Sequence, residues 1–184
     1  NSTTDHDYLT DGFWAMTKQQ EIPADFGVWF LNNISDVTDK VLDGLEDNMS
    51  ERQRDSLIRS NSNALKKSAR EGKNKENFNV QVKSFYYGNY YYMFTYNIFN
   101  DVRLVGAPPS SIGKYGGDTD NWMWPRHTGD FTLFRVYAND SNEPCAYDEN
   151  NKPYVPKHAL PVSIAGVEEG CLLYTSPSPR DLAV

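Results

Sequence analysis

The alternation of apolar and polar positions predicts β-strands along most of the chain. Strands are favoured where β-branched and aromatic residues alternate with polar ones between turn residues. Two aromatic-rich runs lie on either side of Gly88 and Asn89, a pair typical of a β-hairpin. Pro108 and Pro109 end a third run, because proline cannot donate to a strand ladder. The predicted strands are residues 26–33, 79–87, 90–99, 102–109 and 131–138.

Two segments carry the signals of helices. Ser50 and Gln53 fit the capping box of a helix that Gly72 can terminate. The apolar positions that recur on one face of this helix are Leu57, Ile58, Ala64, Leu65 and Ala69. A shorter helix is predicted in SDVTDKVLDGL, residues 35–45, with its first Ser or Asp as the N-cap.

The remaining segments are predicted to be mostly loops. Residues 5–25 lack a sustained period and are expected to form an ordered loop with a short helical turn. Residues 139–159 are polar and are expected to form a surface excursion, whereas residues 160–166 are typical of the start of a further sheet. The chain is therefore expected to be mostly antiparallel β, with one or two inserted helices.

Composition narrows the class of protein. The 184 residues are 39% hydrophobic and 23% charged, which is typical of a globular chain, and the 14% aromatic content favours β structure. The net charge of -7 argues against a nucleic-acid partner. No apolar run reaches the roughly 18 residues that a membrane span needs. Cys145 and Cys171 are too few for a zinc site or a disulfide framework.

The loop before the strand at 131–138 concentrates the candidate chemistry, and Asp130 is its first candidate. An Asp after a glycine at the head of a strand has its side chain oriented by the backbone, as the acid of a catalytic triad must be. An Asp that caps a turn or strand is the alternative. His127 suggests a base that pairs with Asp130. The two residues are three positions apart with Gly129 between them, which is poor geometry for a direct pair, and a structural loop histidine is the alternative.

Asn121 and Trp122 indicate recognition of a cation. An Asn carbonyl can accept from a substrate ammonium, and an indole face can cover a positive charge. The alternative is that Trp122 and Trp124 are core aromatics that anchor a long loop. Asp118 begins a pattern similar to a calcium loop, but the later ligands are missing. The sequence thus predicts neither a metal nor a cofactor.

Two stretches resemble one known family. DHDYLTDGFWAM (5–16) and VRLVGAPPSSIGKYGGDTDNWMWPRHTGDFTLFRVYA (102–138) strongly resemble the bacterial dipeptidyl peptidases seven and eleven. These are serine exopeptidases with a trypsin-like double β-barrel and a large inserted helical domain. The resemblance runs from about residue 5 to residue 170. The resemblance implies a mainly β fold. The chain would form the trypsin-like first barrel, with inserted helices, of a double barrel that is incomplete here.

The resemblance also implies an activity and roles. Members remove dipeptides from peptides with a free N-terminus, so peptides are the implied partners. Asp130, in TGDF, matches the triad aspartate, while Asn121 and Trp122, in DNWMW, match the residues that hold the substrate amine. The family further implies a periplasmic or cell-surface location and a homodimer.

The same resemblance indicates what lies outside the chain. The triad histidine is expected shortly before residue 5 and the nucleophilic serine beyond Gly170, so the chain by itself is expected to be inactive. His6, His127 and His158 do not match the catalytic histidine. CLLYTSPSPRD, residues 171–181, resembles a translated sequencing adapter. We therefore expect a catalytic-domain fragment at 1–170 and a non-native tail at 171–184.

Two other functions are compatible with parts of the sequence. A homologue that has lost its serine or histidine would bind peptides without cleaving them, and nothing in residues 1–170 excludes it. An acidic, Tyr-rich β module could instead bind sugars by stacking on an aromatic platform at Tyr86–Tyr96. Tyrosines at this density more often pack a barrel and its rim.

Overall fold

The computed structural model describes residues 5–120, 128–161, 164–166 and 168–170. Eight strands form two antiparallel sheets in this part of the chain. The strands are β1 (Phe13–Trp14), β2 (Ile22–Pro23), β3 (Val28–Asp36), β4 (Phe78–Phe85), β5 (Tyr90–Phe99), β6 (Val102–Ala107), β7 (Leu133–Ala138) and β8 (Lys152–Pro153). The helices are α1 (Tyr8–Asp11), α2 (Thr38–Leu42), α3 (Glu51–Ala69), α4 (Ser110–Gly113) and α5 (Gly117–Asp120), with 3₁₀ turns at Lys18–Gln20 and Tyr86–Gly88.

Strand β6 organises the larger sheet. The short strands β1 and β2 pair with one edge of β6, and β7 pairs with its other edge, followed by β8. The register between β6 and β7 shifts between Leu104 and Gly106, which is a β-bulge. The smaller sheet has the order β3-β5-β4, so β5 is its central strand. The predicted mainly β fold with inserted helices is confirmed.

Aromatic side chains join the two sheets. The rings of Phe26 and Phe134 meet edge-on with centroids 5.0 Å apart, and those of Phe99 and Tyr154 lie 4.5 Å apart. The Tyr137 N–H donates to the carbonyl oxygen of Asp101 at 2.8 Å, which ties β7 to the start of β6. These contacts curl the sheets toward each other, as expected for part of a barrel.

A second core lies where α2 and α3 cover the smaller sheet. Val41 is fully buried and packs with Val37 and Tyr91, while Ile58 and Leu65 of α3 cover them. The capping box of Ser50 and Gln53 is present, as predicted. Ile58 and Leu65 of the apolar face predicted for this helix therefore pack against the sheet, whereas Ala64 of the same face is exposed.

The hairpin between β4 and β5 is confirmed, but its turn is longer than the Gly88-Asn89 pair indicates. Phe85 pairs with Tyr90, so four residues connect the strands. Tyr86 and Tyr87 adopt positive φ angles of 49° and 58°. The predicted strand at 79–87 thus ends at Phe85, because these two tyrosines leave the extended conformation.

Two other predictions need correction. Residues 5–25 contain the expected helical turn, α1, but also β1 and β2, which are too short to produce an alternating pattern. The described residues among 160–166 are not in a strand, contrary to the sheet predicted there.

Candidate functional site

A cleft forms where the stretches at 5–16 and 102–138 meet. Its volume is about 410 Å³, and we call it the β1–β6 cleft. It is lined by Asp11, Gly12, Phe13, Trp14, Ala107, Pro108, Pro109 and Phe131. Phe13 pairs with Ala107 and Trp14 with Gly106, so strand pairing brings distant segments of sequence together. Phe131, beside Asp130, completes the wall.

Two glycines permit this close approach. Gly12 has a φ of +75°, and a Cβ atom there would lie 2.7 Å from the Pro109 nitrogen. A Cβ atom on Gly106 would lie 2.4 Å from Cε3 of the Trp14 ring. Real Cβ atoms do not approach so closely, so both positions exclude larger residues unless the cleft changes shape.

Helix α4 holds the segment that carries Asp130. The Gly129 N–H donates to the carbonyl oxygen of Ile112 at 3.1 Å, and the Thr128 hydroxyl donates to that of Tyr115 at 3.2 Å. Helix α1 also contacts α4. The N-terminal end of the described chain, α4 and Asp130 therefore lie at the same end of the larger sheet.

The structure describes only some of the predicted site residues. Asp130 is exposed and lies three residues before β7. Asn121, Trp122 and His127 lie outside the described residues, as does the tail at 171–184. Hence, of the predicted site residues, Asp130 alone has a described position, beside the β1–β6 cleft.

The remaining histidines have other surroundings. The His6 ring stacks on that of Tyr8 with centroids 5.7 Å apart, and His158 is exposed in the loop after β8. Within the described residues, no group of three or more His, Cys, Asp or Glu side chains is arranged to hold a metal ion.

A buried ion pair that the sequence did not reveal joins Arg103 of β6 to Asp101, which lies directly before that strand. The Arg103 guanidinium donates to both carboxylate oxygens of Asp101, at 2.8 and 2.7 Å. It also donates to the Asp148 carbonyl oxygen at 2.8 Å, and it lies between the rings of Tyr137 and Tyr147. The bond to Asp101 raises the pKa of Arg103. The Arg103 cation thus ties the segment that carries Asp148 to the larger sheet.

A second buried contact anchors β7. The Tyr137 hydroxyl donates to Glu21 Oε2 at 2.8 Å. Burial, followed by this hydrogen bond, raises the pKa of Tyr137 to about 12. Arg135 Nε lies 3.0 Å from the other Glu21 oxygen, close enough for an ion pair but not aligned for a hydrogen bond. Arg135 is a charged residue within the predicted strand 131–138. Such a residue signals an ion pair, since a buried charge needs a partner.

Cys145 is not suited to act as a nucleophile. Its side chain is half-buried, and burial together with the nearby Asp101 charge raises the pKa of its thiol. A raised pKa keeps the less reactive thiol form at neutral pH.

Comparison with known proteins shows the class of protein, because the chain is similar to peptidases along most of its length. It is 52% identical over 170 residues to an Asp/Glu-specific dipeptidyl-peptidase of Flavobacterium psychrophilum, covering 92% of this chain and 23% of that protein. It is 47% identical over 170 residues to dipeptidyl-peptidase 7 of Porphyromonas endodontalis, covering 92% of this chain and 20% of that protein.

A solved structure extends this similarity to the fold. The crystal structure of Porphyromonas endodontalis DPP11 in complex with the dipeptide Arg-Glu matches with a TM-score of 0.68 and 42% identity, covering 92% of this chain and 25% of that chain. This match agrees with the expected trypsin-like barrel. The chain spans about a quarter of the length of these relatives.

The family model for Peptidase S46 matches residues 1–180, and the chain belongs to this family. The resemblance seen in the sequence is therefore confirmed. In the part of the chain that the structure describes, every helix is too short or too polar to cross a bilayer.

Proposed function

We propose that the intact protein is a serine-type dipeptidyl peptidase that releases dipeptides from the free N-terminus of peptides. The observation that carries this proposal is the 52% identity over 170 residues to an Asp/Glu-specific dipeptidyl-peptidase. The family match spans residues 1–180, which include every segment that lines the β1–β6 cleft. Relatives with the name dipeptidyl-peptidase 7 match almost as closely, so the proposal does not extend to the residue preferred beside the cleaved bond.

Asp130 is proposed as the acid of the catalytic triad. Its role would be to accept a hydrogen bond from the catalytic histidine, hold one tautomer and stabilise the imidazolium that forms. The hydrogen bonds of Thr128 and Gly129 to the α4 region support this role, because they fix the backbone next to Asp130. A triad acid is buried, so the exposed Asp130 would be covered by the rest of the intact protein.

Asn121 and Trp122 are proposed to hold the substrate amine. The Asn side-chain oxygen would accept from the ammonium, and the indole face would cover the charge. Capture of the terminal ammonium fixes the register, so the enzyme would cut after the second residue and reject blocked peptides.

The remaining catalytic groups are proposed to lie outside the catalytic-domain fragment at 1–170. The histidine would take the proton of a serine hydroxyl, and the serine oxygen would attack the carbonyl carbon of the second peptide bond. The histidine would then protonate the departing amine, and water would hydrolyse the dipeptidyl acyl-enzyme. The family resemblance supports a periplasmic or cell-surface homodimer. Residues 171–184 are proposed to be a non-native tail, because residues 171–181 resemble a translated sequencing adapter.

The test is Asp130→Asn in the intact protein, assayed with peptides that have free or acetylated N-termini and an acidic or apolar second residue. Unmodified protein should release dipeptides from free peptides only. Asp130→Asn should lower kcat by roughly 10⁴, as in comparable triads, because the neutral amide favours the wrong histidine tautomer and does not stabilise the imidazolium.

Asp140→Asn is the matched control, since Asp140 is an exposed acid whose ion pair with Lys152 lies at the surface. It should leave kcat unchanged. If the unmodified intact protein binds these peptides but releases no dipeptide from any of them, the protein is instead a non-catalytic peptide-binding homologue.

A further inference from the structure

A second cleft, away from the β1–β6 cleft, lies between the C-terminal half of α3 and strand β4. Its volume is about 790 Å³. Five cationic side chains line it, together with one acid, Glu71. The cations are Lys66, Lys67, Arg70, Lys75 and Lys83. We call it the basic cleft.

The charge of this cleft is opposite to that of the whole chain. Five cations less one acid leave a local charge of +4, whereas the 184 residues together carry -7. Cations at a helix C-terminus stabilise the helix dipole, which accounts for Lys66 and Lys67. It does not account for Lys83, which projects from β4, or Lys75, which lies in the turn before that strand. The cationic residues of the cleft therefore come from three segments, and the Lys83 ammonium also lies 5.5 Å from the centre of the Phe94 ring.

Strand β4 presents an open edge to the basic cleft. Among the described strands it pairs on one side only, with β5. The Ile98 N–H donates to the Asn77 carbonyl oxygen, so the odd-numbered residues of this segment face β5. Backbone groups alternate in an antiparallel strand, so those of Val80, Val82 and Ser84 face the other way.

Arg70 confirms that direction. Its guanidinium donates to the Val80 carbonyl oxygen at 3.1 Å, which places this oxygen on the α3 side of β4. Further along the strand, the backbone of Val82 and Ser84 faces the same side. An exposed strand edge of this kind is a template for an added strand.

We propose that the basic cleft binds an extended acidic segment of another polypeptide, which adds as a strand to β4. Backbone hydrogen bonds to Val82 and Ser84 would select an extended peptide. Alternate side chains of a strand lie on the same face, roughly 7 Å apart, so alternating carboxylates would meet the lysines. A nucleic acid fits less well, because it cannot pair with a strand edge and the acidic remainder of the protein repels it.

The test uses the intact protein and a fluorescein-labelled, N-acetylated peptide in which Glu alternates with Thr. Acetylation blocks recognition of a terminal amine, so the result does not depend on the proposed peptidase function. Fluorescence anisotropy at low and moderate salt would measure the dissociation constant. Binding should weaken as salt rises, because salt screens the charges of the cleft.

The variant is Lys67→Gln combined with Lys83→Gln. It should weaken binding at least about tenfold, since two charge-assisted contacts are lost. The matched control is Arg52→Gln combined with Arg59→Gln, which removes the same charge from α3 outside the basic cleft. The control should bind the peptide as the unmodified protein does. Thermal unfolding would show that both variants are folded.

A second peptide tests the strand pairing. Replacing each Thr by Pro keeps the charge but removes backbone donors, so binding should weaken strongly. Three results would overturn the proposal: no binding by the intact protein, equal weakening by both variants, or equal affinity of the two peptides. Equal competition by a single-stranded RNA of the same charge would also overturn it, because the cleft would then recognise charge alone.

Discussion

The Tyr137 hydroxyl donates a 2.8 Å hydrogen bond to Glu21 across 116 residues of sequence. Both side chains are buried. Glu21 lies directly before β2, and Tyr137 lies near the end of β7, the strand that follows Asp130. The bond therefore fixes the far end of the strand that follows the proposed catalytic acid.

This contact predicts a loss of stability at alkaline pH. The pKa of Tyr137 is raised to about 12 in the folded chain, whereas an unfolded tyrosine titrates near 10. The unfolded state thus releases its proton first, so the contribution to stability is present below about pH 10 and is lost as pH rises toward 12. Urea unfolding of the intact protein at pH 8 to 11.5 should show this decline, and Tyr137→Phe should make it shallower.

Tyr86→Phe provides the control for this measurement. Tyr86 is an exposed residue of the hairpin turn, so its loss should leave the pH dependence unchanged. Equal pH profiles for Tyr137→Phe and the unmodified protein would contradict the prediction.

Asp101→Asn should destabilise the intact protein by about 3–5 kcal/mol, because it leaves the Arg103 charge buried without its carboxylate. The Asp101 side chain is fully buried, and that of Arg103 is only 7% exposed. The double variant Asp101→Asn with Arg103→Met should be less destabilised than the single one, since no buried charge remains. Urea unfolding would measure both free energies, and an additive double variant would refute this account.

Gly106→Ala should destabilise the intact protein by about 1–3 kcal/mol, which is the typical cost of overpacking. The added Cβ would lie 2.4 Å from the Trp14 ring, which must move. Gly113→Ala is the matched control, because its Cβ would meet Pro108 at an ordinary 4.0 Å. Thermal unfolding would measure the midpoint temperatures of both variants. An unchanged midpoint for Gly106→Ala would contradict the prediction and show that Trp14 moves freely.

Asn121→Ala should reduce the preference for free N-termini. Loss of a hydrogen bond to a charged group costs about 1.5–3 kcal/mol, which is roughly ten- to a hundredfold in kcat/KM for peptides with a free amine. Peptides with free and acetylated termini would be compared in the intact protein. An undiminished preference in Asn121→Ala would contradict the assignment, and Asn89→Ala in the hairpin turn serves as the control.

The sequence alone determined the family, most of the long strands and the main helix. These features depend on local order: the alternation in 90–99, the capping box at Ser50 and the continuous motif at 116–131. Each is encoded within one short stretch, so no knowledge of distant contacts was needed.

The tertiary structure alone decided which distant segments meet. Two-residue strands such as β1 carry no period of their own and exist because β6 supplies their hydrogen bonds. The partners of Arg103 lie as far away as Asp148, and that of Tyr137 is Glu21. The basic cleft likewise depends on α3 lying beside β4. Such sites arise from packing between segments, because burial and charge pairing are properties of the folded chain rather than of any one stretch of it.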